Sequence, residues 1–210
     1  MPTLYGEELV TRTKFIPPAP RRGHLERARL HEALADCMRV PLTVVVAGTG
    51  YGKSTLIAGH LGAAGVPALW YELAERDADP QLFALHLAHL CHRAHPGSAD
   101  RALDLLALPG GAARHGLSTI EALADALLDQ LEADTALVLD DFHLLAGAPE
   151  AIALVNHLVQ VLPPRLHVVL LSRQRPELPD LARWRLTGEV LWLDQTALAF
   201  RPEEITALFA

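Results

Sequence analysis

The sequence predicts an α/β protein: a doubly wound parallel sheet of about five strands with helices on both faces. Three observations carry that expectation. First, the short apolar runs at 43–47, 68–71, 136–139, 166–171 and 189–193 are near-continuous, not alternating. Strands read this way when both faces of a parallel sheet are covered. Second, helical patterns at about 53–63, 80–95, 118–132, 150–161 and 178–186 separate those runs. Strand, helix, strand in repetition is the βαβ rhythm, with right-handed crossovers. Third, the first strand runs straight into a glycine cluster, VVVAGTGYGKSTL at 44–56, which opens the first of those helices.

Composition sets the bounds. The chain has 210 residues, half of them apolar and a fifth charged, an ordinary balance with room for one good-sized core. A formal net charge of −7 argues against a chain built to neutralise a phosphate backbone. Two cysteines, Cys37 and Cys91, are too few for a disulfide framework and suit a reducing compartment. The first residues hold no apolar core of signal-peptide length, and no apolar run is long enough to cross a bilayer. The expectation is a cytoplasmic protein with no membrane partner.

Residues 1–40 read as an entry arm and helix. Arg12, Lys14, Arg21, Arg22, Arg27 and Arg29 stand against Glu26, and IPPAP at 16–20 is stiff and extended because each proline fixes its own φ. A helix is expected over roughly 24–39. Two readings stand side by side: a lid with a surface helix, or an arm that helps hold an anion. Residues 41–200 form the core. Within it, 96–117 reads as loop-rich, with a helical turn or more.

The glycine cluster has a chemical reason. A strand that ends in a glycine-rich loop and opens a helix makes an anion cradle of inward-pointing N–H groups at the positive end of a helix dipole. Glycine admits close approach and positive φ. The pattern G-x-x-x-x-G-K-[ST] is met at Gly52, Lys53 and Ser54, with Ala47 in the first position and further glycines at Gly48 and Gly50. The expected cradle is Ala47, Gly48, Thr49, Gly50, Tyr51, Gly52, Lys53, Ser54 and Thr55. Lys53 would reach the β- and γ-phosphates of a nucleoside triphosphate, Ser54 would give its hydroxyl to Mg²⁺, and Thr55 would touch the α-phosphate. The bland alternative is a glycine-rich turn with no ligand.

A phosphate-bound metal needs a carboxylate at the end of a neighbouring strand. ALVLDDFHLL at 136–145 supplies it: Asp140 to hold Mg²⁺ through water, Asp141 to polarise an attacking water. Without a ligand, the same pair would be a helix cap or a solvated turn. Arg173, just past the run 166–171, is placed to sense the γ-phosphate or stabilise its leaving charge, or else is a surface arginine. Glu72 is a weaker second acid, and His143 would orient a loop or touch the site. The histidines at 86, 89, 92 and 95 recur in steps of three. Each step turns a helix by about 300°, so the rings fan out and do not converge on one ion; Phe83, Leu87, Leu90 and Ala94 form the expected buried stripe. Trp184 and Trp192 read as packing residues.

At these residues the chain resembles the nucleotide-binding domain of the STAND class of signalling P-loop ATPases, in the branch found in large MalT-like, LuxR-type transcriptional regulators. The resemblance runs from about Thr13 to the C-terminus. It rests on TKFIPPAPRRGHLERARL, the loop PLTVVVAGTGYGKSTL, WYELAERDADPQLF, LVLDDFHLL and, most specifically, LPPRLHVVLLSRQRPELPDLARWRLTGEVLWL. Gly48 and Thr49 stand where the family more often has proline and alanine, and Ala199 where arginine is usual. FRPEEITALFA resembles the start of a following helical region, cut off at 201–210.

The resemblance implies a P-loop NTPase fold and a weak ATPase acting as a switch. ATP/ADP and Mg²⁺ would be its cofactors. Self-association would run through the full-length protein, and DNA would be contacted only through a missing output domain. Other readings remain. A transporter motor should carry an LSGGQ-type signature, and none is found. A small-molecule kinase should show a basic lid, for which Arg173, Arg175, Arg183 and Arg185 are available. A nucleotide-binding interaction module without turnover is the third.

Overall fold

The computed structural model describes residues 4–19 and 27–208. Five strands, β1 (Leu42–Val46), β2 (Ala68–Glu72), β3 (Thr135–Asp140), β4 (Leu166–Ser172) and β5 (Val190–Leu193), form one parallel sheet in the order β2-β3-β4-β1-β5. Each lies within a residue or two of the run the sequence predicts. Alternate side chains of β1 enter two different cores. Leu42 and Val44 join Leu137, Leu139, Val168 and Leu170 on one face. Val45 joins Val138, Val169 and Leu171 on the other.

Helices cover both faces. α1 (Ala28–Ala33) and α2 (Lys53–Ala64) pack through Leu30, Leu56, Ile57 and Leu61 on the smaller core. The larger core takes α3 (Pro80–Ala94), α4 (Asp100–Ala107), α5 (Gly111–Gln130), α6 (Pro149–Gln160) and α7 (Leu181–Leu186). The short α8 (Gln195–Leu198) and α9 (Pro202–Leu208) follow β5.

Three expectations are corrected. The stretch 96–117 is mostly helix: α4 lies there, and α5 begins at Gly111, well before 118. α4 buries Ala102, Leu103 and Leu106 on one stripe, while the first turn of α5 is capped from another helix. Gln81 of α3 accepts a hydrogen bond from the Ala112 N–H at 2.5 Å, so the orphan donors of that helix end find a partner far along the chain. The helix expected over 24–39 runs only from Ala28, after Arg27 as its N-cap, to Ala33 and then gives way to tight turns; positions 24–26 lie outside the described residues. On α3, Ala94 is exposed, whereas every residue from Phe83 to Cys91 is buried. The helix is covered all round because the segment 4–19 lies against it: His89 Nε2 bonds the Tyr5 carbonyl at 2.9 Å, and His86 Nε2 accepts from the Thr11 N–H at 3.2 Å. Both cysteines are buried free thiols.

Candidate functional site

The carboxyl ends of β1, β3 and β4 meet at one edge because β1 and β3 both flank β4. Ser172, the last residue of β4, pairs in register with Val46 of β1. From there the loop Ala47–Gly52 turns into α2. Gly50 and Gly52 have φ of 85° and 75°. A side chain in that left-handed conformation costs about 1–2 kcal/mol. A Cβ at either position would meet nothing within 4 Å, so conformation and not crowding demands glycine, and the space above the loop is open. Lys53 is buried at 8% exposure, and its ammonium donates to the Ala47 carbonyl at 2.8 Å and the Gly48 carbonyl at 3.2 Å. Burial pulls its pKa below the ordinary lysine value, while Asp141 and Asp140 act to raise it. Ser54 and Thr55 are half-buried in the first turn of α2.

Asp140 closes β3 and is 6% exposed. Its Oδ1 accepts from the Asp141 N–H at 2.8 Å. Burial pushes its carboxyl up; the Ser54 hydroxyl and the Asp141 N–H pull it back, and the charges of Asp141 and Glu72 add to the rise. Among the described residues no cation lies within 4 Å of it. Asp141 has φ 54°, the one non-glycine residue with positive φ among the described residues. A strained backbone of this kind persists where the surroundings hold it and concentrates at functional positions. Its Oδ1 stands 3.8 Å from Arg173 Nε and 3.7 Å from His143 Nδ1, close enough to feel both and too far to bond either. Arg173 is about half-exposed. Burial lowers the His143 pKa against the pull of Asp141.

Lys53, Asp140, Asp141 and Arg173 are thus brought to one edge, with Ser54 beside Asp140. Glu72 ends β2 directly opposite Asp140, exposed. The sequence reading missed Gln195. The first residue of α8, it reaches over the loop, and its Oε1 accepts from the Gly48 N–H at 3.3 Å. No signal in the sequence marks it, because its partner lies 147 positions away.

The anion-holding arm looks different here. Arg21 and Arg22 lie outside the described residues. Arg12 pairs with Glu7 and Lys14 with Asp77. Arg27 and Arg29 bind the Glu204 carboxylate of α9 and the carbonyls of Ala197, Leu198 and Ala199. Because the main chain of Ala199 is what they grip, the missing arginine side chain at 199 does not enter these contacts.

No family model matches the chain. It is 28% identical over 201 residues to the HTH-type transcriptional regulator MalT of Yersinia enterocolitica, and 30% identical over 201 residues to that of Serratia proteamaculans. Each alignment covers 94% of this chain and 21% of the relative, so the chain spans about a fifth of the length of the curated relatives it matches. Among solved structures, a STAND protein with a tetratricopeptide repeat sensor from Pyrococcus horikoshii superposes with a TM-score of 0.63 at 18% identity, over 91% of this chain and 26% of that one. A chain of Drosophila ORC bound to AT-rich DNA and Cdc6 superposes at 0.51 and 13% identity, over 85% and 58%. The α/β sheet in the order 2-3-4-1-5 is that of a P-loop NTPase. More narrowly, over 94% of its length the chain is homologous to a stretch of the MalT transcriptional regulators, and it shares its fold with the STAND protein. No helix among the described residues is long and apolar enough to cross a membrane.

Proposed function

We propose that this domain binds Mg·ATP and ADP and hydrolyses ATP slowly, as the switch of a signal-transducing transcriptional regulator. The observation that carries the reading is the pairing, across one sheet edge, of an open left-handed glycine loop with a buried carboxylate that, among the described residues, has no cation within 4 Å. A buried, uncompensated carboxyl beside a hydroxyl suits a divalent cation. Among the described residues no group of three or more His, Cys, Asp or Glu could hold a metal alone. That suits Mg²⁺, which takes one or two carboxylates and completes its shell with phosphate oxygens and water.

The residue roles follow. The N–H groups of 47–55 cradle phosphate, with Lys53 on the β- and γ-phosphates and Thr55 on the α-phosphate. Ser54 and Asp140 hold Mg²⁺, which supplies charge neutralisation at the phosphates. Asp141, held in a left-handed turn, accepts the proton of the attacking water. Arg173 contacts the γ-phosphate, so the ATP and ADP states differ in their contacts, as a ligand-driven shift requires. For Lys53 to serve, its ammonium leaves the Ala47 and Gly48 carbonyls. The 1–40 arm, the 41–200 core and a following helical region from 201 are the proposed divisions. Self-association and DNA contact belong to the rest of the regulator.

The kinase reading has less support. Of its lid arginines, Arg183 pairs with Asp180 at 3.3 Å and Arg185 lies over the Trp192 ring at 4.6 Å, both engaged with neighbours. Calorimetric titration of ATP and ADP, with and without Mg²⁺, on this chain and on Lys53→Ala, with phosphate release followed in the same samples, tests the function. We expect binding that the substitution abolishes and turnover far below the roughly 10 s⁻¹ typical of enzymes. Fast turnover would point to a working ATPase, and no binding would overturn the reading.

A further inference from the structure

The segment 4–19 crosses α3 as a strap, and two histidines of that helix, one turn apart, hold its main chain by opposite chemistry. Gly6, at φ 68°, seats the strap so closely that a Cβ there would lie 2.8 Å from the Leu85 side chain. His89 Nε2 stands 2.9 Å from the Tyr5 carbonyl, which can only accept, so this ring donates. His86 does the reverse, and its neighbours fix which nitrogen carries the proton. Nδ1 faces the Leu82 carbonyl at 2.8 Å and Asp77 Oδ1 at 3.3 Å, both acceptors. Nε2 faces the Thr11 N–H at 3.2 Å and the Arg76 guanidinium at 3.4 Å, both donors. The proton therefore sits on Nδ1 and the lone pair on Nε2: the ring is neutral, in one tautomer.

A second proton has only Nε2 to go to. There it would point at an N–H and a guanidinium, and the strap would lose its acceptor. The charged and titratable groups packed around the ring are Lys14 of the strap, Tyr71 of β2, and Arg76 and Asp77 of the turn Glu75–Ala78. Asp77 also meets Lys14 directly, and Arg76 donates to the Thr11 hydroxyl. The Phe15 ring closes the edge, 6.2 Å between centres, and His86 has no exposed surface. We propose that His86 is a proton-sensitive latch: the neutral ring holds the strap through the Thr11 N–H, and protonation at Nε2 releases the strap from α3. Burial lowers the His86 pKa from the ordinary 6.5; the Leu82 carbonyl and Asp77 pull it up, and Lys14 and Arg76 push it further down. A depressed histidine takes up its proton more readily once the strap is off. The latch therefore holds above 6.5 and weakens as pH falls below it.

The test is amide hydrogen exchange over 4–15 at pH 7.5 and 5.5, corrected for the intrinsic rate, on the wild-type chain, His86→Gln and His89→Gln. No nucleotide is needed, so the outcome is independent of the phosphate-loop reading. In the wild type, protection of the Thr11 amide should fall at pH 5.5 by up to about tenfold, the ratio of protonated to neutral imidazole one unit below its ordinary value. His86→Gln keeps an acceptor and has no proton to gain, so its protection should not respond to pH. His89→Gln keeps a donor for the Tyr5 carbonyl and should respond as the wild type does. Equal protection of the wild type at both pH values would overturn the latch, and so would a pH response that survives in His86→Gln. Should His86→Gln fail to fold, ring ¹⁵N shifts of the wild type decide. The latch requires a bare Nε2 at pH 7.5 that gains its proton as Thr11 loses protection; a ring protonated while Thr11 stays protected would overturn it.

Discussion

Two regions of this molecule place a lysine near a carboxylate, and they do so in opposite ways. Where the segment 4–19 meets β2 and α3, Lys14 and Asp77 are both buried and in direct contact. Asp77 also accepts from the Ala74 N–H at 2.7 Å, and its other oxygen lies 3.3 Å from His86 Nδ1. Phe15, Tyr71 and Phe83 close around the pair, with ring centres about 6 Å apart. At the phosphate loop, Lys53 donates to carbonyls of its own loop, and Asp140 stays buried with no cation within 4 Å among the described residues. In the first arrangement a buried lysine meets the acid directly; in the second, among the described residues, no cation comes within 4 Å of it. The difference separates a charge met within the fold from one that is not. Burial alone does not reveal it, because Asp77 and Asp140 are both nearly inaccessible.

The sharpest way to break the comparison is to neutralise each acid. Asp77→Asn leaves Lys14 buried beside a neutral group, and losing one partner of a buried pair costs about 3–5 kcal/mol. We expect the unfolding free energy from denaturant titration to fall by that much; a change under about 1 kcal/mol would show that the pair is not what anchors the arm. Next in size, Lys53→Ala should weaken ATP binding by about 2–5 kcal/mol, the range for truncating a buried, charged hydrogen-bond partner, with little change in stability. Loss of fold in place of loss of affinity would make Lys53 a structural lysine like Lys14.

Asp140→Asn should do the reverse of Asp77→Asn. It removes a buried charge whose desolvation outweighs the help of Ser54 and one backbone N–H, so the ligand-free chain should gain stability. The Mg²⁺ dependence of binding should vanish with it, and a destabilised Asp140→Asn chain would erase the contrast. The smallest effect is in pH. Burial lowers the pKa of His60, with His31 adding to the fall, and burial lowers that of His86. A histidine depressed in the folded state takes up its proton first when unfolded. Stability is therefore unaffected well above the ordinary value of 6.5 and is lost as pH falls below it. Urea midpoints at pH 7.5 and 5.5 should show the lower value at 5.5, and an unchanged midpoint would mean that neither ring is held neutral.

Much of the candidate site was legible before any coordinates, for a local reason. Positive φ at Gly50 and Gly52 can be met only by residues such as glycine, so the turn is written in residue type. β3 and β4 are buried along their whole length, so they appear as unbroken apolar runs whose ends mark the edge where Asp140 and Arg173 stand. The helical nature of 96–117 was hidden because glycines at 110 and 111 look like a break. They are helix-starting residues whose cap, Gln81, lies 31 positions away. The wide burial of α3 was hidden likewise, since the segment that covers its far side comes from the opposite end of the sequence.

By itself, then, the sequence determined the strand runs, the left-handed loop and the acids after β3, because each answers to a constraint among neighbours: burial on both faces, or a backbone angle. Only the tertiary structure decided the order β2-β3-β4-β1-β5 that gathers three strand ends at one edge. It also decided the Lys14–Asp77 pair across 63 positions, the reach of Gln195 to Gly48 across 147 and the grip of Arg27 on Leu198 across 171. Such contacts are chosen by which surfaces the packed sheet and helices bring within hydrogen-bond distance, and residue type at one position carries no record of its distant partner.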